Sequence, residues 1–171
     1  DEWGVQLLGI HVLVGWRSQM IEKFYAVVAG GAAGDALGAP TEFSRYTDIV
    51  RRYGPAGITQ LPEPAEFTDD TQMSVALGLG LLDAAQDAAK QNATPDGTRN
   101  AMNTPGFVMP YVAKRFATWS ESPENNRAPG NTCMAACRQL VAGVPWDKAG
   151  VVGSKGCGAA MRVAPIGLLY S

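Results

Sequence analysis

The stretch from Asp69 to Ala85 constrains this chain most. Its apolar positions Val75, Ala76, Leu79, Leu82 and Ala85 recur at helical spacing, and it opens on two adjacent aspartates after a proline-rich run from Leu61 to Pro64. Carboxylates at such a start lie against unpaired backbone N–H groups and the positive end of the helix dipole. The pattern therefore predicts a long helix beginning at Asp69 or Asp70. A helix of this kind must have its apolar face covered. No hairpin dipeptide sits between alternating apolar runs and no repeat period is present, so the cover is helical and the fold class is all-α.

From Met20 to about Leu37 small and apolar residues predict a second, central helix, in which Gly30, Gly31, Gly34 and Gly38 permit close backbone approach at a cost in helicity. Ser44 to Tyr53 reads as a short helix ended by Gly54 and Pro55, and Gln91 to Pro105 as a break. Further helices fit Gly106 to Trp119, Asn131 to Ala142 and Cys157 to Tyr170, the last bent at Pro165. Residues 1–19 read as an appendage before a natural start at Met20. Their apolar run from Val5 to Trp16 is too short to span a bilayer and lacks the basic opening of a secretory leader. At the other end, Ala164 to Ser171 closes on apolar residues without a capping glycine or polar tail, the pattern of a cut chain.

A length of 171 residues suits one domain, here 20–171. With a net charge of -2 and scattered basic residues there is no positive field to attract nucleic acid or an anionic membrane. Cys133, Cys137 and Cys157 form an odd set without paired CxxC spacing, which fits a reducing cytoplasm better than a disulfide framework or a structural zinc site. Cys133 and Cys137 share a helix face and read as small buried hydrophobes. Since His11 is the only histidine, catalytic arrangements built on imidazole are disfavoured.

The segment Phe67-Thr68-Asp69-Asp70-Thr71 has two readings. It can be an ordinary helix cap, or it can present hard oxygens to a divalent cation such as Mg²⁺ or Mn²⁺. Adjacent side chains diverge, so Asp69 and Asp70 can serve two cations. Glu42 is either an additional ligand, a gate over the site, or a solvated loop residue. The loop Gly153-Ser154-Lys155-Gly156-Cys157-Gly158 is either a tight turn or a phosphate cradle at the start of a helix near Ala159. It matches neither the P-loop nor the dinucleotide fingerprint. Arg162 completes an anion site or pairs with a core carboxylate.

Taken together, four motifs in order resemble the ADP-ribosylglycohydrolase family over about Met20 to Ser171. They are Gly34-Asp35-Ala36-Leu37-Gly38-Ala39-Pro40-Thr41-Glu42-Phe43, Phe67-Thr68-Asp69-Asp70-Thr71-Gln72-Met73, Gly130-Asn131-Thr132, and the run from Ser154 to Pro165. The resemblance implies an all-helical hydrolase holding two cations, Mg²⁺ or Mn²⁺, that cleaves ADP-ribose from a protein side chain or small molecule. It implies Thr68, Asp69 and Asp70 as metal ligands, with Asp69 or Asp70 as a base, and Glu42 as a residue that approaches the metals. Ser154, Gly156, Cys157 and Gly158 would contact the diphosphate, with Gly130, Asn131 and Thr132 near the same pocket. The family's second acidic motif, Asp-x-Asp-Thr, does not occur after Asp70. The chain is therefore expected to be the N-terminal half of the domain, to furnish part of the binuclear site, and to self-associate through an uncovered apolar face. Two other functions fit: a non-catalytic ADP-ribose-binding or crystallin-like structural protein, and a different Mg²⁺-dependent hydrolase of a phosphate-containing substrate.

Overall fold

A computed structural model describes residues 22–92 and 94–170; the N-terminal appendage with His11 lies outside the described residues. Helix α1 covers residues 22–38 and runs into a single 3-10 turn, Ala39–Thr41. Then come α2 (Tyr46–Tyr53), α3 (Asp69–Gln91), α4 (Pro95–Met102), α5 (Pro105–Ser120), α6 (Asn131–Val141) and α7 (Ala164–Leu169). No strand occurs among the described residues, so the chain is all-α. None of its described helices is long and apolar enough to cross a membrane.

Two boundaries differ from expectation. The segment Gln91 to Pro105 is not simply a break, because Thr94 caps a new helix, its hydroxyl accepting the Gly97 N–H at 3.2 Å while Pro95 and Asp96 occupy the first turn. Proline there has no helical N–H to forfeit, and an acid there meets the dipole favourably. At the far end, residues 158–162 are turns and helix begins only at Ala164. Pro165 thus starts α7, for the same reason, where a bend in a longer helix was expected.

The core lies between α3 and α5. On α5 a stripe of Val108, Val112, Phe116 and Trp119 is buried, and it meets Met73, Leu77, Leu81 and Ala84 of α3, with Cys137 of α6 closing the cluster. At Gly80 the two helices are in close contact, for an added Cβ would lie 2.6 Å from the Val112 Cα. Along the edge of this seam Arg115 binds Asp83 through both carboxylate oxygens, at 2.6 and 2.8 Å, and Tyr111 donates its hydroxyl to Asp87. Each couple sits four residues from the next on its own helix, so one register satisfies both.

Two packing expectations are overturned. Of the apolar positions first read from α3, Ala76 is buried and Ala85 packs on the core, but Val75, Leu79 and Leu82 are exposed, so the buried face is centred on the neighbouring stripe. The helix is apolar on both sides, so spacing alone does not tell which side the partner takes. Helix α1 is not enclosed either: only Ala36 is buried, and Cβ atoms at Gly30, Gly31, Gly34 and Gly38 would meet nothing within 4 Å. Close approach by glycine occurs instead at Gly80.

Gly80→Ala should therefore lower stability by about 1–3 kcal/mol, the cost of forcing backbones apart outweighing the gain in helix propensity. Gly78→Ala, whose Cβ would rest 3.7 Å from Pro165, should be neutral or stabilising by up to about 1 kcal/mol. Urea unfolding midpoints of the two variants check this. Burial pushes the Cys137 thiol up to about 11, whereas Cys157 is exposed. Iodoacetamide at mildly alkaline pH should label Cys157 and spare Cys137 in the folded chain, as read by peptide mass spectrometry.

Candidate active site

The start of α3 leaves backbone N–H groups without helical partners, and the chain satisfies them from three directions. The Thr68 hydroxyl accepts the Asp70 N–H at 3.3 Å, and the Arg127 carbonyl accepts the Asp69 N–H at 2.9 Å. The third partner is Asp35, from α1. Its Oδ2 accepts the N–H groups of Thr68 and Thr71 at 2.8 and 3.1 Å, and the two threonine hydroxyls donate to Oδ1 and Oδ2 at 2.7 and 2.6 Å. Burial by itself would raise the Asp35 pKa. The hydrogen bonds from Thr71 and Thr68 outweigh it and hold the carboxyl below its usual 3.8.

With the turn fixed in this way, Asp69 and Asp70 part. Asp69 is buried and its Oδ2 accepts the Gly130 N–H at 3.3 Å, at the cap of α6. Asp70 lines a cavity of about 490 Å³ between α1 and α3, together with Asp35, Glu42, Thr68 and Thr71. Val28 and Pro165 form part of its apolar wall. Burial raises the carboxyl pKa of all three of Asp69, Asp70 and Glu42. Mutual repulsion adds to this: Asp35 acts on Asp69, Asp35 and Asp69 act on Asp70, and Asp70, Asp69 and Asp35 act on Glu42. Asp69 is relieved in part by its Gly130 bond and by the charge of Arg162.

Of the residues predicted from the sequence, the structure therefore gathers Thr68, Asp70 and Glu42 on one cavity and turns Asp69 toward α6. Gly130 caps α6 and Asn131 begins it. The glycine-rich loop does not line that cavity. Ser154 Oγ donates to Thr132 Oγ1 at 3.3 Å and accepts the Gly156 N–H at 3.2 Å, so the loop reaches the acidic cluster only through the start of α6. Cys157 is exposed, and Gly158 is pressed to Cys133, whose Sγ would stand 2.6 Å from an added Cβ. No helix opens directly behind the loop, which corrects the expectation of a helix start near Ala159. Arg162 forms no ion pair within 4 Å among the described residues, although its charge acts on buried Asp69; it lies over the Phe116 ring at 4.7 Å and contacts the Met73 sulfur at 3.1 Å.

Asp35 and Thr71 were not singled out from the sequence as site residues. The available signal was a lone acid inside a helix of small apolar residues, since such a carboxylate needs hydrogen-bond partners. Arg127 was missed as well. It donates to the Phe67 carbonyl at 3.0 Å, stacks on the Phe67 ring at 4.4 Å and accepts from Asp69, so it frames Thr68 on both sides. An arginine in a polar loop carries no sequence signal for this. Among the described residues, no three His, Cys, Asp or Glu side chains converge as a complete metal-ligating group.

An acid-lined cavity at a helix start, in an all-α chain with these motifs, agrees with the sequence comparisons. The chain belongs to the ADP-ribosylglycohydrolase family, whose sequence profile matches residues 17–171. It is 36% identical over 157 residues to an uncharacterized protein of Archaeoglobus fulgidus, an alignment covering 88% of this chain and 44% of that protein. It is also 34% identical over 149 residues to the ADP-ribosyl-[dinitrogen reductase] glycohydrolase of Rhodospirillum rubrum, covering 81% of this chain and 42% of that enzyme. The chain thus spans less than half the length of these curated relatives. No solved structure matches it.

The pKa directions fix the sign of a pH dependence. Groups raised in the folded chain bind protons more readily there than when unfolded, so acidification through their range stabilises the fold. Asp35 is lowered, so its contribution persists until pH falls through its depressed value, below 3.8. In chelator, the urea midpoint should rise as pH drops from neutrality toward the ordinary carboxylate range and fall again once pH passes below 3.8. Asp70→Asn should flatten the first limb and Asp35→Asn the second.

Proposed function

We propose that this chain supplies one side of a divalent-metal site for hydrolysis of the bond joining ADP-ribose to a protein side chain or small molecule. The observation that carries the reading is the convergence of Asp70, Thr68 and Glu42 on one cavity in a member of this family. Carboxylate and hydroxyl oxygens are the hard donors that Mg²⁺ and Mn²⁺ take, and acids that raise one another's pKa favour a compensating cation. Bound cations would supply orientation of the ribose hydroxyls and acidification of water.

The chain's own residues do the rest. Asp70 and Thr68 face the cavity from a helix end whose first turn is hydrogen-bonded to Asp35 and to the Arg127 carbonyl. Asp69 binds Gly130 and so couples the acidic cluster to the start of α6, where Thr132 carries the Ser154 loop. That loop and the first turn of α6 are the groups for the diphosphate. Glu42 ends the 3-10 turn at the exposed side of the cavity, where it can accept a proton or close over a substrate. The name of the Rhodospirillum rubrum relative points to an ADP-ribosylated protein as substrate.

One observation favours a second reading. Without three converging metal-ligating side chains among the described residues, the chain is either half of a catalytic centre or a non-catalytic ADP-ribose-binding member. Calorimetric titration with ADP-ribose in the presence and absence of Mg²⁺ separates them. Metal-dependent heat supports the catalytic reading, metal-independent heat the binding module, and no heat a structural protein. In the full-length protein, Asp69→Asn with Asp70→Asn should abolish metal-dependent release of ADP-ribose and leave far-ultraviolet circular dichroism nearly unchanged. Turnover surviving in that double variant at limiting metal would refute the assignment.

A further inference from the structure

We infer that Asp35 is a positioning residue of this site: by accepting the hydrogen bond of the Thr68 hydroxyl, it turns that O–H away and leaves the oxygen to present one free lone pair toward the cavity. The inference rests on the metal-site reading above and deepens it. A threonine hydroxyl has one proton and two lone pairs. An ionised carboxylate only accepts, so the 2.7 Å contact between Thr68 Oγ1 and Asp35 Oδ1 fixes where the proton points. The Asp70 N–H takes one lone pair at 3.3 Å. The other remains, on a side chain that lines the cavity beside Asp70 and Glu42.

The Oδ2 of Asp35 is spent on three donors, the N–H groups of Thr68 and Thr71 and the Thr71 hydroxyl, and Oδ1 receives the Thr68 hydroxyl, the contact through which Asp35 would act on a cation. The same three donors decide what an isosteric change would do. In Asp35→Asn the amide oxygen must occupy the Oδ2 position, because an NH₂ there would face three other donors. The NH₂ then faces Thr68 Oγ1 and donates to it. The Thr68 proton is driven off its axis toward the cavity, where it opposes a cation. One substitution of nearly equal shape thus reverses the polarity of the Thr68 hydroxyl.

The test measures Mn²⁺ affinity of the chain by electron paramagnetic resonance, so it needs no turnover. Asp35→Asn and Thr68→Val should each weaken binding about tenfold or more, the scale for groups that orient a metal ligand. The double variant should be no more than about twofold worse than Thr68→Val, because once the hydroxyl is gone its orientation is irrelevant. Thr71→Val, which removes one donor to Asp35 without touching Thr68, should stay within about threefold of the parent.

Effects of Asp35→Asn and Thr68→Val that multiply would overturn the inference and leave Asp35 acting by charge alone, with the metal site intact. So would a Thr71→Val loss equal to that of Asp35→Asn, or an Asp35→Asn chain without helical circular dichroism, since the carboxylate would then be serving the scaffold. If the parent chain holds no Mn²⁺ even at millimolar concentration, the metal-site reading itself fails, and this inference with it.

Discussion

The hydrogen bonding of one carboxylate, Asp35, to the first turn of α3 is the constraint from which the rest of the site follows. A helix start exposes N–H groups that must be paired, and most helices pair them locally. Here Thr68 does part of this and a side chain from another helix does the remainder, so the cap is also a joint between α1 and α3. Because Oδ2 receives two N–H groups and a hydroxyl, the turn has one orientation in which all are satisfied. Asp69 and Asp70 then leave the helix in directions fixed by its geometry, one toward α6 and one into the cavity.

The charges are arranged with a purpose that stability alone does not explain. Asp35 is held ionised by its donors, while Asp69, Asp70 and Glu42 are each pushed the other way, by burial first and by one another second. A fold selected only for stability would not keep such a group together, and carboxylates in this condition are typical of places where a cation or a proton is handled. The α3–α5 seam shows the contrast. There the acids Asp83 and Asp87 are each matched by a partner on the facing helix, at the edge of the core.

Helix α3 joins these two regions. One face packs so tightly on α5 that Gly80 leaves no space for a methyl group, and the other face, with Val75, Leu79 and Leu82, is exposed. Its apolar periodicity was legible in the sequence, and so was its start at the acid pair. Which face would be buried was not, because Met73, Leu77 and Leu81 make as good a stripe as the one read first. Similarly Thr94-Pro95-Asp96 is a sound helix start that was read as a break, since proline and glycine nearby also suit a loop. The glycines of α1 suggested close packing that occurs elsewhere, because absence of a Cβ allows an approach without requiring one.

The sequence by itself determined the all-α class, a long helix starting at the acid pair, and the four motifs that mark the family, because these depend on residues adjacent in the chain. Only the tertiary structure decided that Asp35 caps α3, that Asp69 faces Gly130 while Asp70 faces the cavity, and that Arg127 brackets Thr68. Those pairings join residues 33 to 61 positions apart. Local propensity is blind to them, since the direction of a side chain is set by what happens to be packed beside it.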